Sequence, residues 1–107
     1  MSEHLHDCLV LGAGPAGLSA SLWLSRLGVE HVVLERSSRI GGELPRVNLP
    51  VTDYLGLPAA NGRDFLSTVE RQLGTHPATV RFGVAIEQVD PATLSVLAGG
   101  ERWRARS

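Results

Sequence analysis

The fold of this chain is decided by the stretch Asp7-Cys-Leu-Val-Leu-Gly-Ala-Gly-Pro-Ala-Gly17, in which a short apolar run meets three spaced glycines. Residues 7–11 predict a strand that is buried on both faces. Apolar residues then recur at helical spacing, which predicts a helix from Pro15 to Leu27. A second apolar run at residues 31–34 completes a strand–helix–strand unit of about 30 residues, the length of a right-handed crossover.

Each glycine of the turn has a physical role in holding a phosphate. Gly12 permits the tight strand-to-helix turn, Gly14 lets the backbone approach a pyrophosphate, and Gly17 lets the helix pack closely on the strands. The first N–H groups of a helix have no partners within the helix and carry the positive end of its dipole, so they favour a phosphate. Pro15 is tolerated because a first-turn proline removes a donor that is free anyway.

An acidic residue at the end of the second strand extends this pattern. Glu35 lies 18 residues beyond Gly17, close to the spacing of about 20 expected for the carboxylate that binds an adenosine ribose. That carboxylate repels a 2′-phosphate and disfavours NADP, unless Arg36 faces the site; a surface-facing arginine is the simpler interpretation. An ordinary tight turn is the structural alternative. The combined pattern favours an ADP-containing dinucleotide, and the spacing alone does not separate FAD from NAD.

The rest of the chain predicts a long loop, a second helix and a β-hairpin. Residues 36–62 are rich in Gly and Pro and lack periodicity, which is typical of a functional loop. A helix is predicted over Gly62–Leu73, capped by Asn61. Strands are predicted at residues 80–82, 84–89, 93–97 and 101–105, the last two joined by a glycine turn. The fold class is therefore α/β, a Rossmann-like domain with a central parallel sheet and a β-hairpin excursion.

Three motifs together carry a family resemblance: the stretch from Asp7 to Leu18, then Leu34-Glu-Arg36, then Ile40-Gly-Gly-Glu-Leu44. The chain resembles the N-terminal FAD-binding half of the two-dinucleotide-binding flavoproteins, and most of all the thioredoxin reductase-like branch. Later stretches follow that branch in order and approximate spacing: Thr52-Asp-Tyr-Leu-Gly56, Gly62-Arg-Asp-Phe-Leu66, Val80-Arg-Phe82 and Val89-Asp90. Monooxygenase-like flavoproteins share the first motifs and are also possible relatives.

The resemblance implies FAD as the cofactor of this first site. It implies that the glycine turn holds the pyrophosphate, that Glu35 binds the ribose, and that Gly41 to Leu44 run along the ribityl chain. It also implies that Asp53 lies beside the isoalloxazine ring and that Ala85 or Ile86 approaches the adenine through the backbone. The implied cofactor-binding residues are Gly12, Ala13, Gly14, Pro15, Ala16, Gly17, Glu35, Arg36, Gly41, Gly42, Glu43, Leu44, Asp53 and Ala85.

Two acidic residues depart from the family's pattern. The family often has Gln where this chain has Glu43, and Asn followed by Pro in the motif that matches Asp53 to Gly56. Carboxylates close to a flavin disfavour its anionic reduced form through charge repulsion. The tuning of the flavin is therefore expected to differ from that of the family.

Composition and charge exclude several classes of function. The chain has 107 residues, and its 10 basic and 11 acidic side chains give a net charge of -1, which leaves no electrostatic footprint for nucleic acid. No apolar run reaches the roughly 20 residues of a membrane helix, and a cytoplasmic protein is expected. All ten basic residues are arginine, which excludes a Schiff-base lysine. Cys8 is expected to be a buried thiol, and His4 and His6 to belong to a solvated N-terminus that binds no metal.

The expected function is the FAD-binding portion of a pyridine-nucleotide-dependent oxidoreductase that is not catalytic by itself. The family's second glycine fingerprint, which binds NAD(P)H, is absent from residues 1–107, and so is a C-x-x-C pair. The domain is therefore expected to be incomplete at its C-terminus, with the strand at residues 7–11 left at an open apolar edge. A second chain or a homodimer is expected to complete it. The alternative is a non-catalytic module that binds FAD or NAD as a sensor or a docking unit.

Overall fold

The computed structural model describes residues 3–74 and 78–107, and it folds them into two β-sheets with two α-helices. A short 3₁₀ turn at Leu44–Arg46 interrupts the long loop between the third strand and the second helix. The strands and helices are β1 (Glu3–His6), β2 (Cys8–Leu11), α1 (Pro15–Arg26), β3 (His31–Leu34), α2 (Gly62–Leu73), β4 (Val80–Arg81), β5 (Ile86–Asp90), β6 (Ser95–Ala98) and β7 (Glu101–Ala105).

The first sheet is parallel and has the strand order β2-β3-β4. Strands β2 and β3 pair in register from Cys8 opposite His31 to Leu11 opposite Leu34, and α1 connects them. The predicted strand–helix–strand unit is confirmed, with the helix ending one residue earlier than expected. The predicted α/β class with a central parallel sheet is confirmed as well.

The second sheet contains the predicted β-hairpin and has the order β1-β7-β6-β5. Strands β6 and β7 are antiparallel, and Gly99 and Gly100 join them with φ angles of 58° and 74°. Both angles lie in the left-handed region, which a tight hairpin turn requires and glycine adopts without strain. Strand β5 begins at Ile86, two residues later than expected, because the N–H of Val84 donates to the carbonyl of Glu35 instead.

The N-terminal segment corrects one expectation, because it forms a strand and not a solvated tail. Strand β1 pairs in parallel with β7, from Glu3 opposite Arg102 to His6 opposite Ala105. His4 and His6 lie on one face and are half-buried, whereas Glu3 and Leu5 are exposed. This alternation has the period of a strand. A hydropathy pattern does not show it, because the half-buried positions hold histidines and not aliphatic residues.

Strand β3 lies between two apolar cores, as its uninterrupted apolar run requires. Val32 and Leu34 point to one side and Val33 to the other, and all three are at most 1% exposed. The first core contains Val32, Leu34, Val96, Ala98 and Trp103, and the second contains Val10, Ala13, Leu18 and Val33. Burial of such side chains contributes about 1.5–3 kcal/mol each, so β3 is fixed firmly on both faces.

The start of α2 anchors the loop that precedes it. The Oδ1 of Asn61 accepts a hydrogen bond from the N–H of Asp64 at 2.9 Å, so Asn61 caps the helix as the sequence predicts. A Cβ on Gly62 would lie 1.9 Å from the carbonyl oxygen of Leu44, so only glycine permits this contact. The contact holds the Leu44–Arg46 turn against α2.

Candidate functional site

A cleft opens at the carboxyl ends of β2 and β3, where α1 begins. In parallel α/β sheets this end of the strands is where ligands bind. The cleft has a volume of about 390 Å³. It is lined by Leu11, Gly12, Gly14, Leu34, Glu35, Arg36, Ser37, Gly42, Glu43, Val84 and Ile86.

Two glycines bring α1 close to the end of β2. Gly12 has φ +97°, a conformation that favours glycine, and its N–H donates to the carbonyl of Leu34 at 2.8 Å. A Cβ on Gly17 would lie only 1.9 Å from the carbonyl oxygen of Gly12. The predicted roles of these two glycines, the tight turn and the close packing of the helix, therefore agree with the geometry.

Gly14 leaves the N-terminus of α1 open to the cleft. No side chain caps this end of the helix, and a Cβ on Gly14 would meet nothing within 4 Å. The first bond of the helix runs from the N–H of Leu18 to the carbonyl of Gly14, so the N–H groups of Ala16 and Gly17 come before any helical acceptor. Open backbone donors at the positive end of a helix fit a pyrophosphate group.

The loop at residues 41–44 is tied to the glycine turn. The N–H of Gly41 donates to the carbonyl of Ala13 at 2.8 Å, with Gly41 at φ +116°. Gly42 follows at φ +59°, and a Cβ on it would lie 3.4 Å from the Cα of Gly14. The two glycine backbones thus lie next to each other at the wall of the cleft with no side chain between them.

Glu35 braces the turn with both of its carboxylate oxygens. Oε1 accepts from the N–H of Ala13 and Oε2 from the N–H of Ser37, each at 2.8 Å, and the residue is 7% exposed. Burial raises the pKa of this carboxyl, but hydrogen bonds from Ala13 and Ser37 and the positive charge of Arg36 together lower it by more, so its pKa lies below the ordinary value of 4.5. An ionised carboxylate has about four acceptor positions, so the two backbone bonds do not exhaust its capacity to accept.

The structure brings six of the predicted site residues to the cleft wall: Gly12, Gly14, Glu35, Arg36, Gly42 and Glu43. Ala13 and Gly41 lie behind the wall and are bonded to each other. The Glu43 carboxylate is 3.5 Å from the guanidinium of Arg46, which offsets part of its charge.

The other predicted residues lie outside the cleft wall. Pro15, Ala16 and Gly17 form the first turn of α1, and Leu44 begins the 3₁₀ turn. Ala85 is exposed, and its carbonyl accepts from the N–H of Gly99, whereas its neighbour Ile86 lines the cleft. Asp53 is exposed in the loop that the Val51–Ala59 bridge closes.

Sequence reasoning missed Ser37, Leu11, Leu34 and Val84 as wall residues. Ser37 contributes its backbone N–H to Glu35, and a backbone donor leaves no signal in residue type. The three apolar residues end a strand or follow one, so the predicted strand bounds were sufficient to place them at the carboxyl edge of the sheet.

A Ser–His pair at the opposite end of β3 from the cleft has a structural role. The hydroxyl of Ser21 on α1 lies 2.7 Å from Nε2 of His31 on β3, and Nδ1 of His31 lies 2.9 Å from the carbonyl of Val29. Since that carbonyl only accepts, Nδ1 of His31 carries a proton and donates to it. Ser21 is fully buried, so the pair pins α1 to β3.

Three further features of the described residues bear on other classes of site. Residues 3–74 and 78–107 contain no group of three His, Cys, Asp or Glu that could hold a metal. Cys8 is half-buried in β2. Within the same ranges, no helix is both long enough and apolar enough to cross a bilayer.

The sequence matches known flavoproteins. Residues 6–43 match the FAD binding domain family. The chain is 31% identical over 86 residues to a ferredoxin--NADP reductase of Levilactobacillus brevis, covering 78% of this chain and 26% of that protein. It is 29% identical over 106 residues to the thioredoxin reductase of Listeria monocytogenes, covering 98% of this chain and 33% of that protein. The chain therefore spans about a quarter to a third of the length of these relatives.

Solved structures share the fold. Thioredoxin reductase from T. acidophilum superposes with a TM-score of 0.76 at 22% identity, covering 96% of this chain and 34% of that one. A flavin-containing monooxygenase from Stenotrophomonas maltophilia superposes with a TM-score of 0.78 at 22% identity, covering 97% and 37%. Together with the sequence matches, these findings confirm the resemblance to thioredoxin reductase-like flavoproteins and support FAD as the cofactor.

The brace at Glu35 generates the first prediction. Glu35→Gln keeps one acceptor oxygen but places an amide NH₂ against the second backbone N–H. We expect the free energy of unfolding at pH 7 to fall by about 1–3 kcal/mol, since a buried donor loses its partner. Glu87→Gln is the matched control, because Glu87 also accepts from a backbone N–H, that of Gly100, but is exposed. Chemical denaturation of both variants measures the difference.

The pH dependence of the same pair of variants follows from the lowered pKa of Glu35. A carboxylate of this kind stabilises the fold fully above its ordinary value of 4.5 and loses that contribution as the pH falls through its lower folded value. The stability gap between the parent chain and Glu35→Gln should therefore narrow below pH 4.5. A gap that stays constant down to pH 3, or an equal loss in Glu87→Gln, would contradict the brace.

Proposed function

We propose that this chain binds FAD in the cleft at Gly12–Gly17 and forms the FAD-binding part of a cytoplasmic, pyridine-nucleotide-dependent flavoprotein oxidoreductase. The observation that carries the proposal is the open N-terminus of α1 at Gly14, which faces Gly42 with no side chain between them. A dinucleotide needs this approach to the backbone, and the matched FAD binding domain family supports FAD as the dinucleotide.

In this proposal the chain's own residues bind and orient the cofactor. The N–H groups of the first turn of α1 hold the pyrophosphate. Glu35 accepts from the ribose hydroxyls with the lone pairs that Ala13 and Ser37 leave available. The loop Gly41–Leu44 runs along the ribityl chain. When bound, FAD supplies the hydride and electron chemistry, while the protein supplies position and charge.

Charge near the proposed ligand favours FAD over a 2′-phosphorylated nucleotide. Glu35 is nearly buried, and its pKa lies below 4.5, so it is ionised at neutral pH and repels a phosphate at the ribose 2′ position. Arg36 is exposed at the rim of the cleft. We place Asp53 beside the flavin and Ala85 beside the adenine on the family resemblance.

A substitution at Gly14 tests the cofactor site. The backbone of Gly14 has φ -77° and ψ -176°, an extended conformation that any residue adopts, and a Cβ there meets open space. We therefore expect Gly14→Val to fold normally but to bind FAD at least a hundredfold more weakly, because its side chain would occupy the place of the pyrophosphate. Titration of the purified chain with FAD, followed by flavin fluorescence, measures the affinity.

Ala20→Val is the control for this test, since it also introduces a valine, at an exposed position of α1 outside the cleft. It should leave the FAD affinity unchanged. Equal binding by the parent chain and Gly14→Val would place the ligand elsewhere. A parent chain that prefers NAD and does not retain flavin would favour a non-catalytic nucleotide sensor instead.

We further propose that the chain does not catalyse oxidoreductase turnover by itself. Residues 1–107 hold one glycine fingerprint and one cysteine, so they offer neither a second nucleotide site nor a dithiol. The purified chain, loaded with FAD, should oxidise NADPH no faster than free FAD does at the same concentration. The decrease in absorbance at 340 nm measures this rate. A rate that exceeds the free-flavin control and disappears in Gly14→Val would show that the chain is catalytic alone.

The partner in this proposal is a polypeptide segment that pairs with β2 and brings the nicotinamide-binding part. Among the residues that the structure describes, strand β2 lies at one edge of the first sheet. Because the N–H of Gly12 points to Leu34 on β3, the backbone groups of Leu9 and Leu11, which alternate with it, face away from the sheet. Backbone groups that face outward from an apolar edge strand favour the addition of another strand.

Self-association of the isolated chain tests this edge. We expect the chain to form concentration-dependent dimers or larger species, and Leu11→Lys to suppress them because an edge lysine opposes strand pairing. Leu27→Lys is the control: Leu27 is 70% exposed at the far end of α1, whereas Leu11 is 41% exposed. Sedimentation velocity measures the species. A monomer that unfolds cooperatively at high temperature, or equal behaviour of both lysine variants, would contradict the proposal.

A further inference from the structure

Strand β1 is held to β7 by two histidine rings that lie on one tryptophan. Trp103 is 1% exposed, and its indole N–H donates to the carbonyl of Ala98. The ring of His4 stacks on it with a centroid distance of 4.0 Å, and the ring of His6 follows at 6.0 Å, both inclined by 18°. The two imidazoles therefore cover the largest side chain of the first core.

Each imidazole also contacts a carboxylate. Nε2 of His4 lies 2.6 Å from Oε2 of Glu101, and Nδ1 of His6 lies 2.6 Å from Oε2 of Glu30. The other oxygen of Glu30 accepts from the N–H of Asp7 at 2.8 Å. The histidine side chains are 28% and 24% exposed, so they are shielded from solvent but accessible to protons.

Besides Glu30 and Glu101, the charged groups near β1 are arginines, two further carboxylates and a third histidine. The guanidinium of Arg81 lies 5.4 Å from the centroid of Trp103. On β7, Arg104 pairs with Glu3, and Arg102 is exposed opposite Glu3. Arg106, just after β7, pairs with Asp7. His31 interacts electrostatically with Glu30 at longer range. Of these side-chain types, imidazole is the one whose ordinary pKa lies between pH 5 and 8.

We propose that β1 is a pH-dependent strap, clamped on Trp103 when His4 and His6 are protonated and loosened when they are neutral. A protonated imidazole forms an ion pair with its carboxylate and is attracted to the indole face, whereas a neutral ring retains only a hydrogen bond and stacking. Stability that depends on a bound proton is present at low pH and is lost as the pH rises. The strap is thus tightest in mildly acidic solution.

The acidic limit of the clamp follows from Glu30. The hydrogen bond from His6 and the one from the N–H of Asp7 hold the pKa of this carboxyl below its ordinary value of 4.5. Its contribution is therefore complete above that value and is lost as the pH falls through the lower folded value. In the pH range between the titration of Glu30 and that of the two histidines, the strap also holds the segment after β7. The backbone N–H groups of Arg106 and Ser107 donate to the carbonyls of His6 and Asp7.

The fluorescence of Trp103 reports directly on the strap. The chain has two tryptophans, and Trp23→Phe removes the other one, which is 57% exposed on α1. In flavin-free Trp23→Phe, we expect emission to increase sigmoidally between pH 5 and 8, because protonated imidazole in contact with indole quenches it. We also expect the thermal midpoint to fall by several degrees over the same interval.

The variant His4→Gln/His6→Gln in the Trp23→Phe background identifies the source of the change. Glutamine keeps a hydrogen-bond donor for each carboxylate but carries no titrating charge, so the emission should become flat between pH 5 and 8. His31 and His76 are still present in this variant, so its thermal midpoint can retain a pH dependence of its own. A pH-dependent emission that persists in the variant, or an emission that is flat in the Trp23→Phe parent, would overturn the proposal.

If the double variant does not fold, the two single variants His4→Gln and His6→Gln replace it. Each should then reduce the amplitude of the emission change, and His4→Gln more strongly, because its ring is closer to Trp103. Unchanged amplitudes of the emission change in both single variants would equally overturn the proposal of a pH-dependent strap. The outcome does not depend on FAD binding, so it is separable from the proposed function.

Discussion

The contact between α1 and the end of β2 is the constraint on which the rest of the structure depends. Gly17 and Gly12 meet so closely that a single Cβ would come within 1.9 Å of a carbonyl oxygen. This approach directs the first turn of α1 at the carboxyl edge of the sheet. It also brings Ala13 within reach of both Glu35 and Gly41. The phosphate-binding geometry is therefore a consequence of how tightly one helix packs on one strand.

Strand β3 transmits this constraint to the rest of the domain. Its alternating side chains fill both apolar cores, and its last residue leads directly into Glu35. The carboxylate then reaches back across the sheet edge to the glycine turn, and the backbone of Glu35 bonds to Arg81 and Val84. A charge is retained in a nearly buried position because two backbone N–H groups donate hydrogen bonds to it, which offsets part of the cost of desolvation. The site is thus organised by the backbone before any ligand arrives.

The sequence predicts the local elements closely where glycine, proline or capping residues mark their ends. Strand β3 and helix α2 have the predicted bounds, and α1 differs by one residue. Strand β1 escaped prediction because its buried face consists of His4 and His6, whose burial depends on an aromatic ring almost a hundred residues away in the chain. Non-local contacts of this kind leave no periodic apolar signal.

The candidate site shows the same division between local and non-local information. Gly12, Gly14 and Glu35 were predictable because the spacing itself requires them. The pairing of Gly42 with Gly14 and the contribution of Ser37 are set by how a 27-residue loop folds back. Residue types along an irregular loop do not encode that path. For this reason the positions of Asp53 and Ala85 relative to a cofactor depend on resemblance more than on pattern.

Strand β2 connects the three surfaces to which a function is attributed. Asp7 alone separates β2 from the strap β1. The outer edge of β2 presents the backbone of Leu9 and Leu11, and Gly12, which follows β2 directly, lines the cleft. Four residues of extended chain span only about 13 Å, so these surfaces share one rigid segment. Under the proposals made above, a dinucleotide at one end and an added strand along the edge would both stabilise the same conformation of β2. Linkage then requires that each would favour the other, and a proton bound at the strap would act on that segment from its opposite end.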